Sequence, residues 1–318
     1  MIEGLLLLSA AFVAFTNGAN ANSKGVASLY GTGTASLRTA LLWGTAATFL
    51  GSLSALLLSS GMLKSFSGQG LVDAELLKTP DFLAAVASGA AVTSFLATRF
   101  SFPVSTTHAL LGALLGAGVV GNPRGVHPAA LWDRFLVPLL FSPLLALALG
   151  AALYALLSIL RLAPSQRGPG LDALHVCSTG AASFARGLND TPKMAALLAV
   201  VPWLDPSTAI LAVAVLVACG GLVDSRNVGE TLGKKITRMS AGQGFASSLV
   251  TAGLVATASL HSLPVSTTHV SVGSLTGIGA VTGQANWRTV AEILLAWIVT
   301  VPCGAAVAAL VALLLARL

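Results

Sequence analysis

The feature that most constrains this chain is an octapeptide written twice. Residues 101–108 read Ser-Phe-Pro-Val-Ser-Thr-Thr-His and residues 262–269 read Ser-Leu-Pro-Val-Ser-Thr-Thr-His, differing only at Phe102 and Leu263. Glycines follow in register: Gly112 with Gly273, Gly116 with Gly277, Gly118 with Gly279. The repeat makes the chain two copies of one unit, so whatever the first half folds into, the second must also fold into.

Composition says in which solvent. Of 318 residues, 55% are hydrophobic and 9% charged, and the mean hydropathy is +0.86. A soluble domain carries about a quarter charged residues, so this chain lacks the means to cover a water-facing surface. Apolar stretches of about 20 residues recur from end to end, as in an all-α, polytopic helical membrane protein of the cell membrane, surrounded by lipid. The net charge of +6 sits mostly in short loops, which points to membrane topology rather than nucleic acid. Cys177, Cys219 and Cys303 have no metal or redox spacing and read as small packing residues. The apolar run Leu5–Phe15 lacks a preceding Lys or Arg, which argues against a cleaved signal peptide.

Each half divides into five segments. In the first, the segment beginning at residue 4 is interrupted at Asn17–Lys24. Apolar stretches follow at about 38–60, 82–98, 103–120 and 135–160, with a polar loop carrying Lys64, Asp73, Glu75, Lys78 and Asp81 between the second and third. A turn-rich stretch, Pro164–Gly170, marks the middle, dividing the chain into a first membrane repeat at 1–160, a cytoplasmic linker at 161–172 and a second repeat at 173–318. The second half is interrupted at Arg186–Lys193 and continues with apolar segments separated by a basic stretch, 224–240, that has the pattern of an amphipathic surface helix. Five is odd, so the second copy enters the membrane from the opposite face, giving two inverted-topology repeats. If every segment crosses, nine basic loop residues lie on the linker side against five on the other, placing the linker in the cytoplasm and both termini outside. If segments three and four are re-entrant hairpins, the balance is eight to six and the orientation holds.

The interruptions also match. Phe15-x-x-Gly18-x-Asn20-x-x-x-Lys24 aligns with Phe184-x-x-Gly187-x-Asn189-x-x-x-Lys193. Broken helices in matching places of two halves point to a binding site at the membrane midplane. Helix N-termini, the hydroxyls of Ser105, Thr106, Thr107, Ser266, Thr267 and Thr268, the amides of Asn20 and Asn189, and the ammonium groups of Lys24 and Lys193 suit a small oxyanion. Asn20, Asn189 and Asp190 offer hard oxygens to a co-transported cation such as sodium, and His108 and His269 are candidates for coupling. Each assignment has a structural counterpart. Ser-Thr-Thr runs also bond to their own backbone, paired histidines also serve packing, and lysines also snorkel to an interface. Arg186 is the weakest candidate, since Asn17 stands at its aligned position. No Walker A pattern and no nucleophile–base spacing is present, which sets a transporter above a membrane-embedded enzyme; an anion channel remains a rival.

Gly-x-Asn-Asp near the start of a half, with Pro-Val-Ser-Thr-Thr-His behind it, resembles the inorganic phosphate transporter (PiT) family of phosphate and sulfate permeases. The resemblance covers essentially the whole chain. It implies an inverted-repeat helical fold with outside termini and symport of phosphate, or in some relatives sulfate, with sodium or protons. It leaves a homodimer open. Gly187-Leu188-Asn189-Asp190 keeps the family pattern; Gly18-Ala19-Asn20-Ala21 has Ala21 where the pattern has Asp, which bears on the coupling ion. The chain also lacks the large central cytoplasmic domain of longer members.

Overall fold

The computed structural model describes residues 1–58, 61–63, 68–162 and 168–317. The end of the second segment at Ser60, the loop residue Lys64 and the linker residues Pro164–Arg167 lie outside the described residues. Ten helices of fifteen residues or more are found among the described residues: α1 (Ile2–Ala21), α2 (Leu37–Leu58), α3 (Pro80–Arg99), α4 (Thr106–Gly121), α5 (Pro128–Ile159, with a π-helical stretch at Trp132–Leu136), α6 (Pro169–Ala195), α7 (Pro206–Val223), α8 (Ala241–Leu260), α9 (Thr267–Val281) and α10 (Trp287–Leu315). Five fall in each half, and α3 and α8 begin and end 161 positions apart. Seven of them (α1, α2, α3, α5, α7, α8 and α10) are long and apolar enough to cross a membrane. The other three are α4 and α9, about 24 Å and 22 Å long, and α6, whose buried face is polar. Large apolar side chains such as Leu57, Phe141, Leu144 and Ile298 are exposed on the outside of the bundle, as lipid contact requires.

Local chemistry sets the helix boundaries. Pro80, Pro169 and Pro206 open α3, α6 and α7 at the first turn, where a missing N–H costs nothing. Pro169 and Gly170, read above as linker, are therefore already helical. Ser240 and Gln243 form a capping box at the start of α8. Asp205 caps α7 by accepting from the backbone N–H groups of Ser207 at 2.9 Å and Thr208 at 3.1 Å. The Thr208 hydroxyl, with those amides, holds the Asp205 carboxyl below its ordinary value. Within 224–240, Val228, Leu232 and Ile236 form a buried stripe, while Lys234, Lys235 and Arg238 face out, so the stretch is an amphipathic ledge. The three cysteines are exposed on the bundle surface and do not fill its core, a correction to their reading as packing residues. A thiol is apolar enough to sit there among lipid-facing side chains.

Packing between the halves is reciprocal. Helix α4 packs on α10 and α9 on α5; α1 packs on α7 and α6 on α2. Glycines make these crossings close. A Cβ on Gly18 would fall on the Val217 carbonyl and one on Gly220 on that of Phe15; in the mirrored crossing Gly187 meets Thr48 and Gly51 meets Phe184. Gly116 lies against the Ala305 carbonyl and Gly277 against that of Leu147. Small residues at such contacts let backbones approach where lipid leaves no hydrophobic drive for association. Gly116→Ala is therefore expected to destabilise the protein by about 1–3 kcal/mol through overpacking. Gly253→Ala, in α8 with open space around its added methyl, should stabilise by about 0.5–1 kcal/mol. Thermal unfolding of the two variants in detergent measures the contrast.

Candidate functional site

The octapeptide encodes a helix stop, a turn and a helix start. Its first residue is left-handed in both copies: φ is 63° at Ser101 and 57° at Ser262. Such a backbone costs a non-glycine residue about 1–2 kcal/mol. It is held by a matched pair of bonds: Phe102 N–H donates to the Ala97 carbonyl at 2.9 Å, and Leu263 N–H to that of Ala258 at 2.8 Å. Val104 and Val265 follow in irregular backbone, and Ser105 and Ser266 cap α4 and α9 by accepting from the backbone N–H of His108 at 3.2 Å and His269 at 3.3 Å. The turn leaves the carbonyls of Val104 and Val265 without helical partners inside the protein.

The two interruptions lie further along the chain than the sequence pattern suggests. Helix α1 runs unbroken through Asn17–Ala21, and its break is the 3₁₀ turn Asn22–Gly25. Helix α6 runs through Arg186–Lys193, Pro192 included, and gives way to a 3₁₀ turn only at Ala196–Leu198. Asn and Asp weaken a helix when their side chains turn back on local backbone. Here those side chains are engaged by neighbouring elements instead. Asn20 donates to Thr98 Oγ1 at 3.1 Å and to the Phe102 carbonyl at 2.9 Å, and its Oδ1 accepts from Val104 N–H at 3.0 Å. Asn189 donates to Ser259 Oγ at 2.9 Å.

The broken helices and the octapeptide turns meet. Lys24 Nζ donates to the Val104 carbonyl at 2.6 Å. Lys193 Nζ donates to the Val265 carbonyl at 3.0 Å, to Thr107 Oγ1 at 2.9 Å, to Asp190 Oδ1 at 3.1 Å and to Asn189 Oδ1. The two turns are also cross-linked: Thr268 Oγ1 donates to the Val104 carbonyl at 2.8 Å and Thr107 Oγ1 to the Val265 carbonyl at 3.3 Å. Asp190 Oδ2 accepts from Asn17 Nδ2 at 3.4 Å and from Thr267 Oγ1 at 3.5 Å, and Asn17 Nδ2 also donates to Thr106 Oγ1 at 2.9 Å. All of these residues are buried.

The structure thus brings together Asn20, Lys24, Thr106, Thr107, Asn189, Asp190, Lys193, Thr267 and Thr268. Ser105 and Ser266 stand at the same turns as helix caps. His108 and His269 are buried beside one another, their ring centroids 4.6 Å apart. The His269 ring stacks on Trp297 at 3.8 Å, and its Nδ1 lies 3.0 Å from the Leu139 carbonyl. No bond links either ring to Asp190 or the lysines among the described residues. Both line an apolar cavity of about 560 Å³ with Leu139, Leu144 and Trp297. No cluster of three or more His, Cys, Asp or Glu able to hold a metal ion occurs among the described residues.

Two features escaped the sequence reading and a third was ranked too low. Asn17 bridges the two halves through Thr106 and Asp190. Thr98 and Ser259 hold the two asparagine amides; they are 161 positions apart, and that shared offset was the signal available. The third is Arg186. Its side chain is buried, and Nε, Nη1 and Nη2 have no hydrogen-bond partner among the described residues. It lies one turn before Asp190 on the same face of α6.

Known proteins resemble this chain in sequence and, in one solved structure, in fold. A sequence profile of the phosphate transporter family matches residues 17–169 and 163–308. The chain is 26% identical over 326 residues to a probable low-affinity inorganic phosphate transporter of Rhizobium meliloti (strain 1021), covering 98% of this chain and 95% of that one. It is 27% identical over 305 residues to the sulfate permease CysP of Bacillus subtilis (strain 168), covering 94% and 84%. A solved structure described as the sodium-dependent phosphate transporter has the same fold, with a TM-score of 0.87, 22% identity and coverage of 100% and 99%. One profile match to each half, on a multi-pass helical bundle, places this chain in the phosphate transporter family, a family of transporters and not of enzymes.

Proposed function

We propose that this chain moves inorganic phosphate across the cell membrane by cation-coupled symport and alternating access. The anion binds between the N-termini of α4 and α9, among Lys24, Lys193, Arg186 and the hydroxyls of Thr106, Thr107, Thr267 and Thr268. A co-transported cation, sodium or proton, engages the Asn20, Asn189 and Asp190 side chains. The two membrane units, 1–160 and 173–318, are inverted copies joined by a cytoplasmic linker, with both termini outside. The reciprocal packing of α4 on α10 and of α9 on α5 supports a two-fold relation between them.

The observation that carries this reading is Arg186. A guanidinium is permanently charged and has five N–H donors and no acceptor. Burying one without a partner is strongly unfavourable. An oxyanion supplies acceptors for these donors, and a tetrahedral oxyanion matches a guanidinium fork. Two helix N-termini at the same place add partial positive charge. Sulfate is the second reading, favoured by the similarity to the sulfate permease.

Labelled phosphate taken up into proteoliposomes under separately imposed sodium and proton gradients tests the proposal, with sulfate as competitor. Uptake that is gradient-driven and blocked by unlabelled phosphate is expected. Absent phosphate uptake, with labelled sulfate taken up in its place under the same gradients, would transfer the reading to sulfate. Arg186→Gln should weaken anion binding about 10–100-fold, the loss of one charged hydrogen-bond partner. The same variant should melt higher than wild type in anion-free buffer, because a buried charge whose N–H groups lack acceptors has gone, and should gain little from added phosphate. A lower melting temperature without anion would mark Arg186 as structural.

A further inference from the structure

Lys193 is surrounded as a bound cation is surrounded. Its Nζ has the Asp190 carboxylate at 3.1 Å, the Thr107 hydroxyl at 2.9 Å, the Val265 carbonyl at 3.0 Å and the Asn189 amide oxygen as a further contact. An ammonium has three N–H donors, so this cage offers more oxygens than hydrogen bonding to a lysine requires. Carboxylate, amide, hydroxyl and a carbonyl freed at irregular backbone are the ligand types that hold hard cations in proteins and cations in transporters of broken-helix construction. The oxygens come from three separate elements: α6, the start of α4 and the turn before α9. The first half has no equal. Lys24 reaches the Val104 carbonyl at 2.6 Å, but Ala21 stands where Asp190 stands, and the Asn20 oxygen takes the Val104 N–H.

We propose that the Lys193 ammonium is a tethered replacement for the co-transported metal cation, so that anion transport by this chain does not require sodium at the Asn189–Asp190 position. The inference rests on the reading of the chain as a cation-coupled anion transporter, and specifies its coupling ion. A sodium ion at these oxygens would lie within van der Waals contact of Nζ and meet its charge at close range in a site shielded from water, where like charges repel strongly. The lysine supplies the same positive charge to the anion and cannot dissociate. It thereby removes a ligand from the transport cycle and leaves the proton gradient as the drive.

The test is phosphate uptake by wild-type proteoliposomes with sodium present or replaced throughout by N-methyl-D-glucamine at equal ionic strength. Rates within two-fold of each other are expected. A fall of tenfold or more without sodium overturns the proposal. Melting temperature is measured in parallel, in sodium and in the same substitute, because it reports binding without transport. Wild type should show no sodium-specific shift. Lys193→Ala removes the tethered charge and leaves Asp190 without its ammonium. This variant should be less stable than wild type and should gain a sodium-specific rise in melting temperature, with part of its uptake restored only in sodium. If wild type itself is stabilised by sodium, or if Lys193→Ala responds to sodium no more than wild type does, the cage is not a cation site. If no phosphate or sulfate uptake occurs with either cation, the transport reading fails, and the sodium response of the two melting temperatures still decides the inference about Lys193.

Discussion

Two backbone carbonyls set the terms for the interior of this protein. Where the octapeptide leaves helical geometry, the carbonyls of Val104 and Val265 lose their intrahelical partners. In a bilayer no water replaces them, and irregular backbone persists only where the protein itself satisfies it. Each is met twice, once by a lysine of a broken helix and once by a threonine of the opposite octapeptide. These bonds explain why the octapeptide and the Asn-x-x-x-Lys motif occur together in each half. One opens a gap in the backbone hydrogen bonding, and the other reaches across to close it. Structural and functional readings of these residues are thus not alternatives. The groups that make the turn tolerable in lipid are those that line the place where an anion would bind.

Closing that gap requires helices near enough for short side chains to reach. Threonine hydroxyls extend barely beyond the backbone, so the elements carrying them must approach to near contact. The glycine crossings provide this. Gly18 with Gly220 and Gly187 with Gly51 bring α1 onto α7 and α6 onto α2, while Gly116 and Gly277 seat the octapeptide helices on α10 and α5. A methyl at any of these would push apart the helices whose polar groups meet at the centre. Packing at the glycines and polarity at the turns are two ends of one constraint.

Much of this was legible in the sequence because the repeat made it so. Duplication of the octapeptide fixed the number of halves, and aligned Gly-x-Asn motifs fixed which helices carry polar groups inward. The candidate site residues Asn20, Lys24, Asn189, Asp190 and Lys193 could be named because charged and amide groups in apolar runs need a reason, and the structure brings them together. What could not be read was where the helices break. Propensity places the break at the polar run itself. Tertiary hydrogen bonds from Thr98, Ser259 and the turns hold those residues helical and shift the break downstream to Asn22–Gly25 and Ala196–Leu198. The role of the valine carbonyls was invisible for another reason: backbone acceptors leave no trace in residue identity. Arg186 was undervalued because symmetry was the guide, and Arg186 breaks the symmetry.

The departures from symmetry carry their own physical consequence. Backbone contacts repeat faithfully between halves, yet the side chains around them do not. Ser247, Ser248, Thr251, Ser271 and Ser274 line a hydroxyl-rich layer beside α6, in contact at 2.7 Å between Ser247 and Ser274 and 2.9 Å between Ser248 and Ser28. The positions 161 earlier are Val86, Ala87, Ala90, Leu110 and Ala113, which belong to the large apolar core. Arg186 and Asp190 likewise have Asn17 and Ala21 at their aligned positions in the first half. On the proposed inverted arrangement, two identical halves would make the inward-open and outward-open forms equivalent by a two-fold rotation and equal in energy. Unlike side chains would remove that equality: a form opening beside the hydroxyl layer would wet polar groups, and one opening beside the apolar core would wet alanines and valines. Exposing apolar surface is the less favourable of the two. If the chain works by the proposed alternating access, residues outside the duplicated motifs would set the balance between the two forms, and a bound anion would shift it only through a difference in its contacts with each.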